Sequence, residues 1–295
     1  MKKFQVLTDS TSCVAKKYRE EFGIDYVKMV LNLEGKEYLA DLDWSNFTPD
    51  EFYGLMRQGK RFVTNLVTTC EFEAKFTEYL DKGLDVLYVG VSSALSGSVN
   101  NGKLVAEELL VKYPERKIIC IDTLRANYGE GLIAMDAAKM ANEGMDIEEV
   151  AKIIEETKLC YNEYGTVDSL EWLRKAGRVK ATAAFFGNLF GVKPIICADA
   201  KGNNYAYKKV KGRKTSLDEV INAVCENIVN PDETTVFVEH AICLENANYC
   251  AEQIKAKINP KEIVVCPLGA TTGAAIGPTT IIISFKGKKV EMASE

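Results

Sequence analysis

A chain of 295 residues with 47% hydrophobic and 27% charged side chains exceeds what one hydrophobic core commonly serves, and two globular domains are expected. The formal net charge of -5 and pI near 5.3 leave no basic footprint for wrapping nucleic acid, so no nucleic-acid partner is expected. A single histidine, His240, leaves the hydroxyl-rich segments without their usual activating base and favours binding over catalysis.

In chain order, short apolar runs predict strands at Phe4 to Leu7, Val27 to Leu31, Val86 to Val91 and Lys117 to Ile121. Between them, Phe72, Phe76, Tyr79 and Leu80 mark one helical face, and Leu104, Val105, Leu109 and Leu110 mark the next. An alanine-rich helix over Gly129 to Asn142 leads to an amphipathic helix starting near Asp146. Such alternation predicts an α/β unit with a largely parallel sheet. Two hydroxyl-rich turns, Asp9 to Ser12 and Ser92 to Ser98, fall at the carboxyl ends of predicted strands, where ligands of open α/β sheets bind. Two readings stand for each: N-capping of the next helix, or a cradle for an anionic oxygen.

After about Leu159 the pattern changes to short strands and turns, at Pro194 to Ala198, Tyr205 to Val210, Thr235 to Val238, Glu262 to Cys266 and Thr280 to Phe285. Lys201-Gly202-Asn203-Asn204 between alternating runs predicts a hairpin. Helices are expected over Ser216 to Val229 and Leu244 to Lys257. The boundary is placed at 157/158, giving an N-terminal parallel α/β domain (1–157) and a C-terminal mixed, mostly antiparallel α/β domain (158–295).

The nine cysteines form no Cys-x-x-Cys pair and most sit in apolar runs, which predicts reduced, buried thiols. No carboxylate or histidine cluster has metal-ligand spacing, and no lysine follows Gly97 as a nucleotide-binding loop requires, so neither metal nor redox cofactor is expected. Thr8-Asp9-Ser10 interrupts the first apolar stretch too early for a signal peptide, and no segment has the apolar length of a membrane span. A cytoplasmic protein is expected.

Val6-Leu7-Thr8-Asp9-Ser10-Thr11-Ser12, Ser92-Ser93-Ala94-Leu95-Ser96-Gly97-Ser98 and Ile121-Asp122-Thr123 with Gly129-Glu130-Gly131-Leu132 resemble the DegV family. The likeness continues through Leu170 to Val179, Val192-Lys193-Pro194, Lys209 to Lys214 and His240-Ala241 in the family's order. The resemblance implies a two-domain fatty-acid-binding protein without chemistry of its own. On that resemblance, the acyl chain of a long-chain fatty acid, such as stearate, palmitate or oleate, is expected in an apolar tunnel between the domains. The resemblance further implies that hydroxyls hold the carboxylate and that a kinase partner makes the acyl phosphate.

Residue by residue, the family's Thr-Ser-Gln-Pro-Ser element falls at Thr64-Asn65-Leu66-Val67-Thr68, which makes Thr64 the first head-group contact, with Asn65 beside it. The Ser-Ser-x-Leu-Ser-Gly turn gives Ser93 as the second, supported by Ser92 and Ser96. The family's Gly-Ala-His-Thr-Gly-Pro-Gly stands here as Gly273 to Thr279, with Ala275 in the histidine's place, followed by Ile276. That change opens a storage role uncoupled from a kinase. Ile276 and the run Ala183 to Gly191 are wall candidates, with ordinary core packing as the other reading. Arg178, Lys211 and Arg213 are either solvated surface or a docking face for the kinase. His240 is expected to be structural. A serine hydrolase of acyl substrates is the enzymatic alternative, although neither Gly-x-Ser-x-Gly nor Ser-x-x-Lys stands in a catalytic setting.

Overall fold

The computed structural model describes residues 3–182, 185 and 191–294. Strand β1 (Phe4–Asp9) is buried along its whole length, as a strand covered on both faces must be. The helix α1 (Lys16–Phe22) carries the chain to β2 (Asp25–Val27), which pairs in parallel with β1. With β6 (Asp85–Gly90) and β7 (Ile118–Asp122) these strands form a four-stranded sheet of order β2-β1-β6-β7, parallel throughout.

The run expected as one strand from Val27 to Leu31 is two. Val27 ends β2, and Val30 opens β3 (Val30–Leu33) in a different sheet. At the crossing, side chains replace ladder partners: Lys28 N donates to Glu71 Oε1 at 3.0 Å and Met29 N to Ser10 Oγ at 3.0 Å. Strand β3 is flanked by β4 (Lys36–Leu39) and β5 (Phe62–Asn65) in a small antiparallel sheet. Between β4 and β5 runs α2 (Pro49–Arg57), opened by a Thr48/Glu51 capping box with proline in its first turn. Helices α3 (Thr69–Asp81) and α4 (Ser98–Lys112) follow β5 and β6.

Helix α5 (Asn127–Asn142) follows β7 and packs against β1 of the parallel sheet and against strands of the second sheet. Its close approach depends on small residues. A Cβ on Gly129 would lie 2.6 Å from Glu163 Cδ, and Ala134, Ala137, Ala138 and Ala141 are buried. After α6 (Ile147–Thr157), strand β8 (Tyr161–Thr166) opens the second half. It leads through α7 (Glu171–Ala176) to the hairpin of β9 (Val192–Ala198) and β10 (Asn204–Lys211). Helix α8 (Arg213–Asn227), β11 (Thr235–His240), α9 (Leu244–Ile258), β12 (Glu262–Pro267), α10 (Ala270–Ile276) and β13 (Ile281–Lys286) complete it. The six-stranded sheet has the order β10-β9-β8-β13-β11-β12, with only β11 and β12 parallel. The chain is therefore α/β, with a parallel sheet in its first half and a mixed, mostly antiparallel sheet in its second.

The largest apolar cluster joins Leu7, Phe72 and Tyr88 of the first half to Ile196, Ile276 and Ile282 of the second. The two halves thus share buried surface, and the site lies along that seam. Among the described residues no helix is long and apolar enough to cross a membrane.

Candidate functional site

Asp9 at the end of β1 sets the local frame. It is fully buried, and four donors satisfy it: Thr11 N (2.9 Å) and Thr11 Oγ1 on Oδ1, and Tyr88 Oη (2.7 Å) and Val91 N (3.1 Å) on Oδ2. These bonds offset the cost of burying the group. Beneath it, Glu130 of α5 accepts Thr8 Oγ1 at 2.8 Å and touches Thr11 Oγ1. The Thr11 hydroxyl thus lies between the two carboxyl groups and links the end of β1 to α5. Burial, with Asp9 nearby, pushes the Glu130 carboxyl well above its usual range. The Asp9 to Ser12 turn is in this respect structural.

The serine turn after β6 is built in the same way. Ser92 is buried, and its Oγ donates to the Gly202 carbonyl at 2.8 Å in the hairpin of the second half. Ser93 N donates to Asp122 Oδ1 at 3.1 Å, and its side chain is exposed. Ser96 Oγ lies 3.0 Å from Ser98 Oγ, and the Ser98 hydroxyl takes Val67 N at 3.1 Å. These bonds fix the turn against the segment that follows β5. Helix α4 then starts at Ser98, whose N donates to Ser96 Oγ at 3.3 Å, so a serine of the turn takes the first amide of the helix.

A cavity of about 270 Å³ opens along the seam. Thr64 and Asn65 reach it from β5, Ser96 and Gly97 from the serine turn, and Thr271, Thr272, Ala275 and Ile276 from α10. Thr11 and Asn127 contribute from below, and Met29, Leu66, Val91, Leu95, Ala126 and Leu173 supply the apolar wall. The cavity is thus apolar with a set of hydroxyls, the composition of a small-molecule site. Thr64 is half-buried and its hydroxyl bonds to no described protein group.

Of the residues singled out from sequence, Thr64, Asn65, Ser96, Ala275 and Ile276 come together here. Ser92 and Ser93 do not line the cavity. The first is turned onto Gly202 and the second outward, so Ser96 is the serine of this turn that faces the space. Arg178, read from sequence as surface or docking face, lines the cavity, and its Nε donates to the Leu95 carbonyl at 3.1 Å. Arg213 is half-buried and bonds to the Thr279 carbonyl beyond α10, whereas Lys211 is exposed at the end of β10. Of the run 183–191, Ala183, Ala184 and residues 186–190 lie outside the described residues. His240 is half-buried at the end of β11, its Nδ1 without a partner and its pKa lowered by burial, and it is not part of the wall.

Thr271, Thr272, Asn127 and Asn204 are wall residues that the sequence reading passed over. The signal for the two threonines was the spacing of Thr271 and Thr272 to Ala275, four and three residues apart, which places them on one helical face. Among the described residues no group of three or more His, Cys, Asp or Glu is placed to hold a metal ion.

Comparison with known proteins gives the chain's family and fold. The family model described as "Uncharacterised protein, DegV family" matches residues 3–288. A DegV domain-containing protein of Clostridium perfringens is 38% identical over 293 residues, 99% of this chain and 100% of that one. A DegV family protein from Thermus thermophilus, solved as a fatty-acid-binding protein, is 25% identical with a TM-score of 0.86, covering 97% of this chain and 100% of that one. A stearic-acid-binding protein from Eubacterium ventriosum superposes with the same TM-score of 0.86 over 97% and 99% of the two chains at 21% identity, a likeness of fold.

Proposed function

This chain belongs to the DegV family, and from that premise we propose that it binds one long-chain fatty acid, such as stearate, palmitate or oleate. The acyl chain occupies the seam between domains drawn at 1–157 and 158–295, and the carboxylate lies against Thr64 and Ser96. The observation that carries this reading is the pairing of an apolar cavity with a Thr64 hydroxyl that bonds to no described protein group, in a wall that also holds Ser96 and Gly97 of the serine turn. Each buried methylene contributes about 0.8 kcal/mol, so a long chain supplies ample driving force. The carboxylate needs several donors once it leaves water, and the cavity's hydroxyls together with the positive N-terminal end of α4 provide for it. Ser92 and Ser93 support the turn.

The protein has no chemistry of its own on this reading and presents the acid to a fatty-acid kinase. Supporting a binding role over a serine hydrolase, no hydrogen bond joins His240 to a serine among the described residues, and His240 is outside the cavity wall. Ala275 favours a second version, storage without phosphorylation, because it leaves α10 without a polar side chain at the position where the family carries histidine. Delipidated protein titrated with stearate and followed by native mass spectrometry should take up one acid per chain; no uptake of stearate, palmitate or oleate contradicts the reading. Capture of the host's fatty-acid kinase by wild type, lost in Arg178→Glu or Arg213→Glu, supports presentation, and absence of capture by wild type favours storage.

A further inference from the structure

Helix α10 forms one wall of the cavity, and it packs against β5, the strand that carries Thr64. At about 100° per residue, the residues of α10 that line the cavity, Thr271, Thr272, Ala275 and Ile276, fall within one arc with Thr272 and Ala275 at its centre. Ala270, Gly273 and Ala274 fall on the other side, and a Cβ on Gly273 would lie 2.3 Å from Tyr53 Oη of α2. The helix is thus held with Thr272 and Ala275 towards the cavity. Of these two, only the threonine has a side chain that can donate a hydrogen bond.

The hydroxyls of the wall differ in what they are already bonded to. Thr11 Oγ1 is engaged by Asp9 and Glu130. Thr271 is buried, and its Oγ1 donates to Ser10 Oγ at 3.4 Å. Ser96 Oγ takes Ser98 N at 3.3 Å and lies 3.0 Å from Ser98 Oγ. Thr64 and Thr272 remain. Both are half-buried, and neither hydroxyl bonds to a described protein group. In a largely apolar wall, such a hydroxyl is one that a ligand oxygen can complete.

We propose that Thr272 is a head-group contact supplied by the second half of the chain, and that with Thr64 from the first half it holds the ligand's carboxylate across the seam. This inference rests on the acyl-binding reading above. A carboxylate fits because its two charged oxygens accept several hydrogen bonds, so donors on two walls engage it at once. Thr272 stands one helical turn before Ala275, so α10 keeps a donor facing the cavity although Ala275 has none. An uncharged head, such as a methyl ester on the same chain, gains less from the second donor, and the pair of threonines therefore selects the free acid.

The test is calorimetric titration of the delipidated full chain with stearate and with methyl stearate. In Thr272→Val, which keeps the shape of the side chain, stearate is expected to bind about tenfold to hundredfold more weakly, the loss of one hydrogen bond to a charged group. Methyl stearate should lose much less, so the preference for acid over ester falls. Thr272→Ser, which keeps the hydroxyl, retains that preference; if the valine variant does not fold, Thr272→Ala removes the same hydroxyl. An unchanged preference without the hydroxyl, or a loss in Thr272→Ser as large as in Thr272→Val, overturns the assignment of Thr272. Stearate binding by the wild type, weakened in Thr64→Val, would then leave the acyl-binding reading standing, whereas failure of the wild type to bind either ligand overturns that reading and the assignment with it.

Discussion

Thr64→Val separates head-group recognition from chain burial. Thr64 stands opposite Leu31 in the β3–β5 ladder, half-buried, and its hydroxyl makes no hydrogen bond to a described residue. Valine keeps the β-branch and the strand preference, so the melting temperature of the ligand-free protein should not move. A hydrogen bond to a charged group contributes about 1.5 to 3 kcal/mol, which is roughly a tenfold to hundredfold change in Kd. Stearate should therefore bind that much more weakly to Thr64→Val, as measured by calorimetric titration of delipidated protein. Methyl stearate, which has the same chain and no charge, should lose much less. Equal stearate affinity in the two proteins, or an equal loss for acid and ester, would refute the assignment of Thr64 to the carboxylate.

Two further outcomes follow from buried groups outside the cavity wall. Glu239 on β11 is fully buried, its Oε1 has no partner, and burial raises its pKa to about 8. A carboxyl raised on folding stabilises fully below its unfolded pKa, and that contribution is lost as pH rises through the folded value. Stability should therefore fall between about pH 5 and pH 8, and Glu239→Gln should flatten the slope by up to about 1.4 kcal/mol per pH unit; superimposable urea-unfolding profiles for the two proteins would contradict this. Gly202→Ala places a Cβ 2.2 Å from Ser92 Oγ at a residue with φ +81°, breaking the clasp between hairpin and serine turn. It should cost about 1 to 3 kcal/mol, read as a lower melting temperature, and an unchanged melting temperature removes the clasp from the account.

Much of this was legible in sequence where local pattern and chain order coincide. Strands β1, β6 and β7 declare themselves as short apolar runs ending in polar turns, and the hairpin after β9 by its Lys-Gly-Asn-Asn turn. Thr64 and Ala275 were placed by motif order, and both line the cavity. What stayed hidden depends on contacts between distant residues. Which of Ser92, Ser93 and Ser96 faces the cavity is decided by Gly202, 110 positions from Ser92, and by Asp122. Helix α10 is short and built from threonine, glycine and alanine, so no apolar periodicity marks it, and Thr271 and Thr272 went unread. The small β3–β4–β5 sheet was obscured because Val27 and Val30 belong to different sheets across only two residues. Arg178 looked like surface charge until the second half was folded against the serine turn.

The central claim is tested most directly by mass spectrometry of an organic extract of the freshly purified full-length chain, with native mass spectrometry for stoichiometry. The account predicts close to one long-chain fatty acid per chain. An extract free of lipid, from protein that also takes up neither stearate nor oleate when they are added, would contradict it.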